Sequence, residues 1–262
     1  MSQVHREPAP LPAVRLASFE TARLPLALAT ACSGCQLSSA CQPCNPQRSV
    51  MAAWDVHPFV RRKLRAGQSL YRQGEAFGFI YAVRSGTLKS TVGRGDGRDQ
   101  VCGFHMGGDV LALDGVASGV HTSSSTALED SAVCAIAYAP LLASFVSDPT
   151  LQRRMNRLLG LEIVRGHKHM LMLGVSSARE RVAAFLLDLS DRFQRHGHSP
   201  SDFNLRMTRA EIGSFLGMTL ETVSRTLSAL QQQGAIRIDH RRIRINDLAG
   251  FANRFEALLC VR

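Results

Sequence analysis

Between Arg65 and Ile136 the apolar positions fall into short runs, and glycine punctuates them at 67, 74, 78, 86, 93, 95, 97, 103, 107, 108, 115 and 119. The runs are Phe79-Ile80-Tyr81-Ala82-Val83, Thr87 to Val92, Gln100 to Phe104 and Ala132 to Ile136. Short runs of this kind bounded by glycine turns read as strands, and their regular spacing predicts a β-barrel or β-roll. Gly93-Arg94-Gly95-Asp96-Gly97 reads as a hairpin tip. It is not a phosphate loop, because no strand-to-helix context and no Gly-Lys-Ser/Thr accompanies it.

After the roll the period changes to that of helices. Asp148 and Pro149 suit the cap and first turn of a helix of about 23 residues. Its apolar stripe runs Met155, Leu159, Ile163, Met170, Leu173, with Gly166 on the same face. Such a stripe either packs on the chain's own roll or forms a seam with a second copy. The length argues that at least part of it pairs with a second copy, and Gly166 would allow close approach there. A second helix covers Ala178 to Arg195, where Val182, Phe185, Leu186 and Leu189 share a face. Gly197 suits its end, and His196 and His198 read as solvated loop residues.

Met207 to Ala235 carries two further caps. Thr208 opens a short helix and Glu211, three residues on, completes a capping box. Thr219 opens the next helix, with Thr222 three residues on, so this second box is incomplete. Gly213, Gly217 and Val223 fall at the spacing of a helix-turn-helix, in which two helices meet at a steep angle. Val223, Leu227 and Leu230 give the second helix an inner face, leaving Glu221, Ser224 and Arg225 outward. Ile236-Arg237-Ile238 and Ile243-Arg244-Ile245 flank Asp239-His240-Arg241-Arg242, an alternating hairpin with a basic tip. An ordinary αα-hairpin would explain the apolar positions but not that outward face beside a basic wing. The expected DNA-facing set is Thr208, Thr219, Glu221, Ser224 and Arg225.

The N-terminal part has a different character. Met1 to Ala31 holds Pro8, Pro10, Pro12 and Pro25 and no sustained period, and a short helix is expected around Ala52 to Val60. Between them stand Cys32, Cys35, Cys41 and Cys44, four of the seven cysteines, as two Cys-x-x-Cys pairs. Thiolates this close in sequence suit a structural zinc, an iron–sulfur cluster or disulfides. Disulfides fit poorly, since the chain has no clear secretory signal and few cysteines for its length. Leu24 to Ala31 before Cys32 is too short, and too broken by Pro25, for a lipoprotein signal. No segment approaches transmembrane length, and the chain is expected to be cytoplasmic. The formal net charge of +10, with arginine far outnumbering lysine, favours a polyanionic partner. No nucleophile–base spacing marks an enzyme.

Roll, long helix and winged helix in this order resemble the Crp–Fnr superfamily of bacterial transcription regulators, and within it the oxygen-responsive Fnr/Anr branch. The segments that carry the resemblance are Cys32-x2-Cys35-x5-Cys41, Ala82 to Ser90, Gly103 to Asp109, Ala178 to Phe185 and Leu220 to Arg225. It implies an α+β fold: a cysteine-bearing segment over residues 1–50, a cyclic-nucleotide-binding-like β-roll (a double-stranded β-helix) over 51–147, a dimerisation helix over 148–174 and a winged helix-turn-helix over 175–262. It also implies a [4Fe-4S] cluster on Cys32, Cys35, Cys41 and Cys134, leaving Cys44 outside, whereas spacing alone would close a four-cysteine zinc site with Cys44. The expected partners are a second copy, RNA polymerase and TTGAT-N4-ATCAA-like DNA. A cyclic nucleotide is not expected, because Gly115 to Ala127 contains no arginine, with only His121 near where one would fall. Among alternatives are a zinc-stabilised winged-helix repressor and a haem- or nucleotide-sensing relative.

Overall fold

The structure, a computed structural model, describes residues 59–93, 99–147 and 149–255. Cys32, Cys35, Cys41, Cys44 and Cys260, the cap Asp148 and the interior of the expected hairpin tip lie outside the described residues.

The first unit is an antiparallel roll of two four-stranded sheets. One has the order β1-β8-β3-β6, from β1 (Phe59–Leu64), β8 (Ser131–Ala137), β3 (Phe79–Ser85) and β6 (Val110–Leu111). The other has the order β2-β7-β4-β5, from β2 (Ser69–Tyr71), β7 (Ser124–Ala127), β4 (Thr87–Gly93) and β5 (Asp99–Met106). Ile80, Val83, Leu88 and Val133 are fully buried between them. Burial at this level drives the roll together, at about 1.5–3 kcal/mol for each large aliphatic side chain. The β3–β4 turn passes through Gly86 at φ 86, where an added Cβ would sit 2.2 Å from Ser131 Oγ, so only glycine closes it.

The sequence expected a helix to reach Val60. Instead Phe59 and Val60 begin β1, paired with Ile136 and Ala135 of β8. Arg61, Arg62 and Lys63 hide this strand from a hydrophobic pattern, because β1 is a sheet edge and tolerates charge.

A short helix α1 (Tyr138–Ser144) leads to α2 (Pro149–Val175), 27 residues and so about 40 Å long. Its stripe does not all face one partner. Met155 is 3% exposed within the roll core and Leu159 packs against that core, so the seam expected at Met155 and Leu159 is used by the chain's own roll. The physical reason is that Leu151, Met155 and Leu158 supply the lid that the roll's sheets need.

The second unit begins at Ser177, whose hydroxyl accepts from Glu180 N while Glu180 Oε2 accepts from Ser177 N at 2.7 Å, a complete capping box for α3 (Ala178–Arg195). Then follow β9 (Asp202–Asn204), α4 (Arg209–Leu216), α5 (Leu220–Gln232), β10 (Ile236–Asp239), β11 (Arg242–Ile245) and α6 (Leu248–Phe255). β9 adds to the wing as a third strand, giving the order β10-β11-β9. The core of this unit also takes Val101, Phe104 and Met106 from β5 of the roll. β5 is an edge strand, and α4 covers that edge: Val101 N donates to Ser214 Oγ at 2.8 Å, and Lys89 Nζ meets Glu211 Oε1 at 2.7 Å.

Candidate nucleic-acid interface and cluster thiol

The two helices of the second unit meet as the spacing predicted. Thr208 Oγ1 accepts from Glu211 N at 3.2 Å, and Glu211 Oε2 accepts from Thr208 N at 2.7 Å. A Cβ on Gly213 would lie 2.6 Å from the Met218 carbonyl oxygen, so α4 crosses the turn at the closest distance backbone allows. Gly217 ends α4 in the left-handed region at φ 63. Thr219 Oγ1 then accepts from Thr222 N at 3.2 Å and starts α5. Val223, Leu227 and Leu230 are buried on its inner face.

Glu221 and Arg225 are exposed on the outer face of α5 and Ser224 is half-buried. Glu221 is held below the usual carboxylate range by its own backbone amide first, then the Thr219 hydroxyl and Arg225. It is therefore an anion already steadied in the first turn, next to the fork of Arg225. Thr208 and Thr219 have their hydroxyls engaged as caps, which places them at the start of each helix.

The wing is less basic than its sequence. Arg242 and Arg244 both clamp Asp202 of β9, at 2.6 and 2.7 Å, and hold its carboxyl down at about 2. Arg237, His240 and Arg241 stay exposed, with His240 at the tip in the left-handed region at φ 52.

On α2 the apolar positions beyond the roll face outward. Ile163 is 58% and Met170 62% exposed, joined by Leu161, Val164, Leu171 and Val175, while Leu173 is half-buried. Nothing stands within 4 Å of a Cβ built on Gly166. Together they make an exposed apolar band on this helix, more extensive than singly scattered surface residues.

Cys134 lies in β8 between Val133 and Ala135, which are buried. Alternation turns it to the opposite face of the sheet, where it is half-buried. Its cross-strand neighbours are Arg61 of β1 and Ala82 of β3. Arg61 and Lys63 share that face by register, both exposed. Cys102 is exposed on β5, away from this sheet. The other expected ligands, Cys32, Cys35 and Cys41, precede β1, and among the described residues no group of three His, Cys, Asp or Glu gathers as a metal site.

A cavity of about 420 Å³ remains between the roll and α2, lined by Tyr71, Ser90, His105, Asp114, Glu162 and Ile163 among others. No lysine or arginine lines it among the described residues. Asp114 Oδ2 accepts from the amides of Thr122 and Ser123 at 2.9 and 2.8 Å and from both hydroxyls. His121 is 3% exposed and stacks on Tyr71 with ring centroids 4.0 Å apart. Burial drives the pKa of His105 down to about 4, and Ser90 Oγ lies 2.9 Å from its Nε2.

Sequence reasoning missed the ties that join the two units. Arg192 of α3 pairs with Asp109, in the turn after β5, and donates to Phe104 O at 2.9 Å. Arg165 of α2 reaches the same Asp109 at 3.6 Å. A buried-looking arginine in a helix is the only sequence signal for such a tie, and it names no partner. Among the described residues no helix is long and apolar enough to cross a membrane.

Comparison with known proteins agrees with this architecture. Residues 61–148 match the cyclic nucleotide-binding domain family and residues 180–254 the Crp-like helix-turn-helix domain family. The chain is similar to the transcriptional regulatory protein btr of Bordetella pertussis, 39% identical over 87% of this chain and 95% of that protein. It is also similar to the fumarate and nitrate reduction regulatory protein of Escherichia coli, 37% identical over 82% of this chain and 86% of that protein. Among solved structures, FixK2 from Bradyrhizobium japonicum superposes with a TM-score of 0.69 at 31% identity, covering 75% of this chain and 96% of that one.

Proposed function

The chain belongs to the Crp–Fnr family of transcription regulators, proteins that bind DNA and typically form dimers, and we propose that it is an oxygen-responsive member carrying a [4Fe-4S] cluster. The observation that carries this reading is the position of Cys134. It is half-buried on one face of β8, directly across from Arg61 of β1, the strand that the cysteine-bearing segment leads into. Cationic side chains on that face suit an anionic thiolate-bound centre. Cys32, Cys35 and Cys41 would supply the remaining thiolates. Once bound, the cluster supplies a centre that oxygen degrades.

The chain's own residues do the rest. Cys134 ties the N-terminal segment to β8, and β8 shares its core with Leu151, Met155 and Leu158 of α2. A change in the pull on β8 is thereby felt at the first turns of α2. Ile163 and Met170 further along α2 pair two copies, burying the exposed apolar band. Each copy then presents Glu221, Ser224 and Arg225 of α5 to one half of a TTGAT-N4-ATCAA-like site, where Arg225 reads guanine O6 and N7 and Glu221 accepts from cytosine N4. Transcription control would proceed through RNA polymerase. The roll cavity presents the carboxylates of Asp114 and Glu162, and Arg165 beside Glu162 is already paired with it at 2.9 Å, which argues against a cyclic phosphate as the signal.

The test is iron and sulfide content after anaerobic preparation, with the absorption spectrum. The Cys134→Ala protein should lose iron and the Cys44→Ala protein should keep it. Normal iron in Cys134→Ala with loss in Cys44→Ala would move the centre to a local site of Cys32, Cys35, Cys41 and Cys44. Zinc in a colourless protein would replace the oxygen-sensing reading altogether.

A further inference from the structure

α2 and the helix-turn-helix are joined by more than the chain. Arg181, in the first turn of α3, is half-buried, and its guanidinium bridges two helix ends. Nη2 donates to Leu173 O at 2.8 Å and Nε donates to Ser176 O at 3.0 Å, both at the end of α2. Nη1 donates to Leu216 O at 3.0 Å and to Gly217 O at 3.4 Å, at the end of α4. The last carbonyls of a helix have no partner within it, so both helix ends leave acceptors that must be met from outside. One planar fork meets both sets at once. Side-chain packing follows the same line: a Cβ on Gly217 would stand 3.2 Å from Leu173 Cδ2.

We propose that Arg181 is the positioning residue that fixes the angle between α2 and the helix-turn-helix, and so sets the half-site spacing that the dimer accepts. α5 starts at Leu220, three residues beyond Gly217, so whatever holds Gly217 holds the start of α5. In a dimer paired along α2, the two α5 helices are separated by a distance that each α2–α4 junction determines. DNA offers half-sites only at discrete steps of about 3.4 Å and about 35° per base pair, so a firm junction rejects the wrong spacer. Lysine would keep the charge, but as a single point donor it could not span two helix ends. This inference rests on dimeric DNA binding and not on the cluster.

The experiment uses the full chain in its DNA-binding form. Wild type, Arg181→Ala and Arg181→Lys are titrated at fixed salt against TTGAT–ATCAA palindromes with the N4 spacer and with spacers one base pair shorter and longer. A fourth site keeps the N4 spacer and changes the G·C pair of each half-site. Wild type should lose about tenfold or more in affinity when the spacer changes. Both variants should reduce that penalty to about threefold or less while keeping the wild-type discrimination at the G·C pair and the wild-type sedimentation. Lysine therefore gives the same readout without shortening the stem, should the alanine protein fold poorly. If Arg181→Lys keeps the wild-type spacing penalty, the proposal is wrong. Equal loss of spacing and base discrimination would also overturn it, by making Arg181 a mere support of the second unit. Failure of the wild type to prefer any spacing of TTGAT sites would remove the proposed DNA site and this inference together.

Discussion

Asp109 offers the sharpest measurement of how the two units hold each other. Its carboxylate accepts from Met106 N at 2.8 Å, pairs with Arg192 of α3 and lies 3.6 Å from Arg165 of α2. Burial by itself would raise its pKa, yet Arg192 and then Arg165 outweigh burial and hold it at about 2, against an ordinary 3.8. The side chains of Asp109 and Arg192 are 15% and 11% exposed, so solvent screens the pair little. At about 1.4 kcal/mol per pH unit, that depression corresponds to about 2 kcal/mol of folding stability. A depressed carboxylate contributes in full above its unfolded value and loses the contribution as pH falls through its folded value. The window is therefore pH 4 down to pH 2. Asp109→Asn should cost about 2 kcal/mol at pH 6, less than the ~3–5 kcal/mol of a buried pair whose survivor is left alone, because Arg192 keeps Phe104 O and Asp188. Urea unfolding of both proteins at pH 6 and pH 2.5 gives the difference directly, since Glu162 and the other carboxylates titrate in both. A cost below about 0.5 kcal/mol at pH 6, or a difference that does not shrink at pH 2.5, would refute the reasoning.

Two further outcomes are expected. Ile163→Glu places a charge on the exposed apolar band of α2, without touching the roll core that Met155 occupies, and should leave the protein monomeric in sedimentation while its unfolding stays cooperative. A stable Ile163→Glu dimer that still binds DNA would mean that two copies meet elsewhere. Arg225→Ala should cost about 1–3 kcal/mol at the G·C pair of the half-site and relax preference there. Uniform weakening across all sequences, with that preference kept, would make Arg225 a phosphate contact.

The elements legible in the sequence are those in which one periodicity ran undisturbed. β4 and β5 alternate between glycine turns, α2 and α3 carry helical stripes, and the Thr208–Glu211 box marks the start of α4 to the residue. Strands that are very short, or that carry a run of charged residues at an edge, gave no such signal. β2 has three residues, β6 has two, and β1 spends three of its six positions on Arg61, Arg62 and Lys63. A stripe also cannot say what it faces: Met155 and Ile163 share one period, yet the first is in the roll core and the second is exposed. Ion pairs between distant segments were invisible for a simpler reason. Nothing in a single chain links Asp202 to Arg242 and Arg244, or Asp109 to Arg192, until folding brings them together. Cys134 read alone would be a small apolar residue in an apolar strand, and only its resemblance-based assignment singled it out. The structure adds that it faces away from Val133 and Ala135, with Arg61 opposite.

What couples these parts is that the surroundings of α2 change along its length. Its first turns are built into the roll through Leu151, Met155 and Leu158. Its middle exposes Ile163 and Met170, and its end is held by Arg181 against the turn before α5. On the proposed reading, a rotation imposed at the roll would turn the apolar band and carry the far end of α2 with it. The roll also grips α4 directly, through Lys89–Glu211 and Val101–Ser214, and α3 through Asp109–Arg192. The second unit is thus held both to the roll and to the end of α2. On the proposed reading, pairing of two copies and placement of their α5 helices would then depend on the same element. A change sensed at Cys134 would, on that reading, need only to shift how the roll seats on α2 to alter both at once.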